Sequence, residues 1–408
     1  MNERRLTELL RDIPVPDERQ AQERGWRVVR ASLEARHPVP ARLHLNRLAI
    51  ALAVGLLLAA IALSPAGAKV ADLVHDVVQP GEQNARPALT SLPAPGRLLV
   101  TSAKGPWVVD QDGSKRLLGA YEEAAWSPHG LFVAVTRGRA LTAVDPVGTV
   151  RWSLAARRPV SNPAWSSSGV RVAYLSGSSL RIVAGDGTDD RLLASHVARV
   201  APAWRPLRMP VPAGQVATGP RTNVLAYADR RGRVTVRDVD SGTVLLRSPP
   251  GPTPIQLSWS SDGKRLLSVS RHAFWTLNPP HPNPVTASPP HHWTIRAASF
   301  RPGTHRVAAV ETRGHSRATN HSVVLFGRTD IGNFLSQQLF VGPGRFGGLA
   351  WSPDGGWLLV GWRDADQWLF LRPSDGRVRA VGHISRQFDP GASGQPPFPG
   401  ISGWWGAR

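Results

Sequence analysis

An all-β propeller of four-stranded blades, preceded by one N-terminal transmembrane helix, is the fold that three observations in the sequence predict. A tryptophan followed by a Ser-x-x-Gly turn and an apolar run recurs as AAWSPHGLFVAV at Trp126, PAWSSSGVRVAY at Trp165, LSWSSDGKRLLSV at Trp259 and LAWSPDGGWLLV at Trp351. Weaker copies stand at Trp204 (PAWRP), Phe300 (ASFRPGTHRVAAV) and Phe388 (RQFDPG). Successive spacings are therefore 39, 39, 55, 41, 51 and 37 residues, the length of one propeller blade with two insertions. The third observation is a charge-free run from Leu48 to Ala68, long enough as a helix to cross about 30 Å of hydrocarbon.

Taken in chain order, residues 1–47 read as two short helices broken at Pro14 and Pro16. In the second, Trp26, Val29 and Leu33 share one stripe, and Asp17 and Glu18 suit its positive N-terminus. So few apolar groups cannot bury a core. The stripe either docks on a partner or lies on the inner membrane face, or else the segment is a solvated tail. Arg30, Arg36, Arg42 and Arg47 precede the run 48–68 and only Lys69 follows it closely, so the positive-inside rule places residues 1–47 in the cytoplasm and the repeats outside the cell membrane. Cleavage behind Ala66-Gly67-Ala68 as a secretory signal is the alternative, against which the leader is long. Residues 69–96 hold a helix with Val70, Leu73, Val74 and Val77 on one face, then a Pro/Gly linker. The propeller is assigned to 97–391 and a C-terminal tail to 392–408.

Residues 124–163 show how one blade is written. A short strand, a four-residue turn, an apolar strand, a strand ending in a Pro-Gly turn and a last strand leading to Asn162-Pro163 make an antiparallel meander. In the motif turn Pro presets φ, Gly accepts positive φ, and Ser or Asp bonds back to turn amides. The acidic position runs His129, Ser168, Asp262, Asp354 along the copies, which marks turn chemistry and not a set of catalytic acids. The aromatic residue before each turn is read as a packing wedge between blades. Six clear motif strands begin at residues 126, 165, 204, 259, 300 and 351. A set of outer strands at 96–119 lacks an inner partner, and the degenerate copy at Phe388 is the expected supplier. That makes seven blades with stapled ends and no free edge. Six blades, with 96–119 or 386–391 as an irregular addition, is the alternative.

AWSPDGGWLLV and SWSSDGKRLLSV resemble the signature of TolB-like, WD-repeat-related β-propellers, over about residues 97 to 391. The resemblance implies a radial propeller with protein-binding or scaffolding roles. A short cytoplasmic tail, one membrane helix and an outer domain together are similar in layout to transmembrane anti-sigma factors, which implies a signalling regulator. An envelope scaffold without a signalling role is the alternative, and a propeller-type lyase or glycosidase stands behind both.

The net charge of +20 comes from 49 Lys and Arg, of which only Lys69, Lys104, Lys115 and Lys264 are lysine. The cations are scattered and form no run, which argues against sequence-specific nucleic-acid binding and leaves an anionic envelope surface as a partner beside a protein. With no cysteine, disulfides, thiolate zinc sites and cysteine nucleophiles are excluded. Histidines cluster at His281, His291, His292, His305, His315 and His321 without converging carboxylates, so no metal site is expected. GHSRA at 314–318 lacks the second glycine of a nucleophile elbow, and no phosphate loop or carboxylate pair is present. The expectation is a non-enzyme without cofactor. Binding is expected on the two insertions, 205–221 with Arg208 and Met209 and 312–321 with His315 and Arg317, which leave opposite faces of the meander.

Overall fold

A computed structural model describes residues 89–207, 222–279, 281–287, 293–313, 321–330 and 333–406. Among them seven four-stranded antiparallel sheets form, each a meander from an inner to an outer strand. Blade 2 is typical: Glu123–Trp126 innermost, then Val133–Arg137, Ala140–Val144 and Val150–Ala155. The inner strands of blades 3 to 7 are Val160–Trp165, Ala203–Trp204, Gln256–Trp259, Trp293–Phe300 and Phe346–Trp351. Blade 1 combines Arg97–Ser102, Gly105–Val109 and Lys115–Leu117 with an inner strand from the far end of the chain, Gly400–Trp405. Each inner strand lies beside the next, and Gly400–Trp405 lies beside both Phe346–Trp351 and Glu123–Trp126, so the ring closes.

The second strands carry unbroken apolar runs because both faces of each sheet are covered. Val133, Ala134 and Val135 are buried alike, as are Leu358, Leu359 and Val360. The core is divided into inter-blade layers, and an inner-strand aromatic occupies each. Trp165 packs with Leu141 of blade 2 and Val172 of blade 3, Trp259 with Val236 of blade 4 and Leu266 of blade 5, and Trp351 with Val324 of blade 6 and Leu358 of blade 7. Phe300, Trp204 and Trp126 fill the corresponding layers of blades 5/6, 3/4 and 1/2. Two of these rings also bond across the layer: Trp204 Nε1 donates to the Ala164 carbonyl at 2.9 Å and Trp259 Nε1 to Ala203 at 3.0 Å.

The ring is stapled, but not by the segment expected. Phe388 belongs to a short helix, Ile384–Phe388, not to an inner strand. His383 turns the chain at φ 54°, and the Asp366 carboxylate accepts from the backbone N–H and hydroxyl of Ser385 at 2.8 and 2.7 Å. Ile384 and Phe388 then stand four residues apart, the spacing of one helical face, and both are buried against Trp368 and Leu98. RQFDPG offers a strand only one apolar residue. The inner strand is GISGWW, so the propeller does not end at residue 391, and residues 400–405 of the assigned tail belong to it. Trp404 faces Leu98 in the register in which Trp126 faces Val133 and Trp351 faces Leu358, which makes Trp404, not Phe388, the blade aromatic of the seam. Leu89 and Leu92, from the expected linker 69–96, are buried in the same layer and belong to the body.

Candidate functional site

In a meander, first-to-second and third-to-fourth turns share one end of the blade, and the remaining connections share the other. Neighbouring motif turns bond to one another at their end. Ser261 Oγ accepts from Gly303 N–H at 2.9 Å, Arg301 Nε donates to the Gly355 carbonyl at 2.8 Å, and Trp405 Nε1 donates to Pro128 at 2.9 Å. Over blades 5 to 7 these turns bound a cavity of about 550 Å³ lined by Asp262, His305 and Asp354 with Pro302 and Pro353.

The carboxylates of that cavity are engaged in their own turns. Asp354 Oδ1 accepts from the Ser352 hydroxyl at 2.5 Å and the Gly356 amide at 2.9 Å. Asp262 Oδ1 accepts from Ser260 and the Lys264 amide, and its Oδ2 lies 3.0 Å from His305 Nε2. Burial acts to raise both pKa values, but these bonds, with His305 beside Asp262 and Arg301 beside Asp354, outweigh it and hold both below the ordinary carboxylate value. Both are ionised turn formers at neutral pH, unsuited to donating a proton. Among the described residues no group of His, Asp and Glu could hold a metal ion.

The two ends of the propeller differ in charge. On the motif-turn end acids and bases are mixed: Asp375 pairs with Arg377 and Arg372 at 3.2 and 3.6 Å, and Asp145 with Arg151 at 2.9 Å. The opposite end presents exposed Arg139, Arg157, Arg158, Arg230, Arg231 and Arg271 in its connections. Its acids are already engaged. Glu122 and Asp229 accept turn amides, Asp389 pairs with Lys104 at 3.3 Å, and Asp364 pairs with Arg345 at 2.8 Å. Near the inner strands of blades 5 to 7, Arg296 lies within electrostatic reach of Arg271 and Arg345. Arg296 is held by Thr312 Oγ1 at 3.1 Å, and burial first, then the charges of Arg271 and Arg345, push its pKa below the ordinary arginine value. Asp364 balances Arg345 in this group, so Arg271 and Arg296 carry the excess positive charge that favours an anion.

Beside this group lies a buried pair. Glu311, 2% exposed, meets Arg313 at 3.5 Å, and the Arg313 guanidinium lies over the Trp293 ring at 3.3 Å. Burial raises the Glu311 pKa against the opposing pull of Arg313.

Of the residues singled out in the sequence, Trp26, Val29, Leu33, Arg208, Met209, His315 and Arg317 lie outside the described residues, as do 48–68. Among the described residues no helix is long and apolar enough to cross a membrane. The second insertion is shorter than expected, since residues 312–313 and 321 continue the strands Arg306–Arg313 and His321–Asp330. Arg271, Arg296 and Arg345 were not singled out by motif. The cue available was position, because Arg271 falls in a second-to-third turn and Arg345 in a blade-to-blade connection.

No family model matches the chain, and no curated protein matches it in sequence. Solved structures are similar to it in fold. A chain of the Mitotic Checkpoint Complex is 17% identical over 74% of this chain and 84% of that one, with a TM-score of 0.50. The Cps50 (Swd1) β-propeller domain of Myceliophteria thermophila is 11% identical over 64% and 86%, with a TM-score of 0.48. The dihydro-heme d1 dehydrogenase NirN is 14% identical over 83% and 86%, with a TM-score of 0.48. At such identity the likeness to the checkpoint chain is one of fold alone: this chain is a seven-bladed β-propeller.

Proposed function

We propose that this chain is a membrane-anchored, extracytoplasmic β-propeller that works as a binding module and takes an acidic protein partner on its arginine-lined face. The observation that carries the reading is the charge difference between the two ends. One is mixed and locally paired, while the other exposes arginines whose neighbouring acids are already bonded. A surface of one sign steers an oppositely charged partner and fixes its approach. The anchor rests on the run 48–68 and the arginines that precede it. In this reading residues 1–47, with the Trp26, Val29, Leu33 stripe, pass the bound state to a cytoplasmic regulator in the manner of a transmembrane anti-sigma factor. No catalysis is assigned, because the acids of the motif-turn cavity serve their turns.

The test uses the full-length protein in neutral nanodiscs and poly-L-glutamate as the probe of an acidic polypeptide. Arg157→Glu/Arg158→Glu/Arg230→Glu should weaken binding at least tenfold and flatten its salt dependence, whereas Asp145→Lys should not. Equal binding by all three proteins would refute the assignment of the face. Binding to anionic lipid vesicles but not to poly-L-glutamate would replace the protein partner by a membrane surface.

A further inference from the structure

At the edge of the arginine-lined end, a recess of about 300 Å³ opens between blade 7 and the segment that returns to the ring closure. Arg345, Arg363, Asp364, Ser385, Gln395, Pro396 and Phe398 line it. We propose that this recess is a binding site for a monosaccharide carrying a phosphate or carboxylate group. The inference goes beyond the partner reading and does not depend on it.

Three features converge on that chemistry. The first is a pair of guanidinium groups with one fixed orientation. Arg345 Nη2 and Nε donate to Asp364 Oδ1 at 2.8 and 3.3 Å, and its backbone N–H donates to Oδ2 at 2.9 Å, which leaves further guanidinium donors for a ligand. Arg363 follows closely, its backbone N–H bonded to the Arg345 carbonyl at 3.0 Å. Among the described residues its guanidinium has no hydrogen-bond partner, and its charge helps hold Asp364 ionised, after burial acting the other way and the bonds from Arg345. Among the lining residues two arginines stand against the one carboxylate of Asp364, Asp366 lying behind the Ser385 hydroxyl, and a guanidinium fork matches a phosphate or carboxylate.

The second feature is the polar side chains. The Ser385 hydroxyl donates to Asp366 Oδ1 at 2.7 Å and retains acceptor capacity, while the exposed Gln395 amide offers both a donor and an acceptor. These suit sugar hydroxyls better than a bare anion. The third is the Phe398 ring at the inner border of the recess, next to Pro396. Gly361 lets the Phe398 ring approach the second strand of blade 7, since a Cβ there would meet Phe398 Cε1 at 2.8 Å. The Phe398 ring borders this mostly polar recess, whose volume holds one monosaccharide with its anionic substituent.

Isothermal titration of the full-length protein in neutral detergent at low salt tests this with glucose 6-phosphate, glucuronate, glucose and inorganic phosphate. Glucose 6-phosphate and glucuronate should bind with saturation at millimolar Kd or tighter, and glucose at least tenfold more weakly. Arg363→Gln should weaken both anionic sugars about tenfold, about one charge-assisted hydrogen bond, with the melting temperature unchanged. Phe398→Ala should weaken the sugars while leaving inorganic phosphate as it was. Inorganic phosphate binding as tightly as glucose 6-phosphate would reduce the recess to an oxyanion site and overturn the proposal. So would the absence of saturable binding, or an unaffected Arg363→Gln. Galacturonate against oligogalacturonate separates the sources: tighter binding of the oligomer identifies an acidic polysaccharide, equal affinity a free sugar, and both support the site. Loss of poly-L-glutamate binding with sugar binding intact would sink the partner reading alone.

Discussion

Cutting the chain after Pro399 removes the inner strand of blade 1 and gives the sharpest perturbation of the fold. The truncation abolishes the pairs Leu98–Trp404, Leu99–Gly403 and Val100–Ile401, leaving Leu98, Leu99 and Val100, all fully buried, on an open edge. Loss of burial for Ile401, Trp404 and Trp405 costs about 2 kcal/mol each, and about three or four strand hydrogen bonds cost about 1 kcal/mol each. The sum, about 9–10 kcal/mol, matches the stability of a whole domain, about 5–15 kcal/mol. The truncated protein should therefore fail to melt cooperatively and should self-associate through the free edge. Trp404→Ala, which removes only the partly buried wedge, should cost about 3 kcal/mol and lower the melting temperature by about 6 °C. Scanning calorimetry and light scattering read both. A truncated chain that stays monomeric and melts within 2 °C of the full protein would refute the closure by residues 400–405.

Further predictions concern the turns and the topology. Asp262 has its pKa held below the ordinary value, so the stability it contributes is present above the unfolded carboxylate pKa and is lost as pH falls through the folded value. Asp262→Asn should cost about 1 kcal/mol at pH 7, allowing for its partial exposure, and progressively less as pH falls below the unfolded carboxylate value, by denaturant melts across that range. Gly130 stands at φ +62°, where a Cβ would lie 2.5 Å from the Trp405 ring. Gly130→Val should lower the melting temperature by several degrees, through strain of about 1–3 kcal/mol, while Gly138→Val, at a similar φ with open space around it, should do less. Because the chain has no cysteine, Ser195→Cys on the exposed arginine-lined end makes a single label site. A membrane-impermeant maleimide should label it in intact cells, and labelling only after lysis would place the propeller on the cytoplasmic side.

Much of the fold was legible because the blade repeat writes its geometry locally. The Ser of each motif shows why: Ser127, Ser166, Ser260 and Ser352 hydroxyls accept the amide five residues on, at 2.9 to 3.0 Å, closing the same turn each time. Four-strand periodicity and the wedge aromatics followed from that motif. The seam was not legible in detail, since Trp404 is followed by Trp405 where those copies carry Ser, and Trp405 packs against Trp126 with ring centroids 6.1 Å apart. Phe388 carried the motif's shape without its strand pattern. The arginine group escaped notice for another reason. Arg271, Arg296 and Arg345 lie far apart in sequence and come within electrostatic reach only when consecutive blades pack, so no local string announces them.

The most direct test of the account is the salt-dependent affinity of the full-length protein in neutral nanodiscs for poly-L-glutamate, compared between the wild type and Arg157→Glu/Arg158→Glu/Arg230→Glu. The account predicts binding that weakens steeply with salt in the wild type and is at least tenfold weaker and nearly salt-independent in the variant. Equal affinity and equal salt slopes in the two proteins would contradict it.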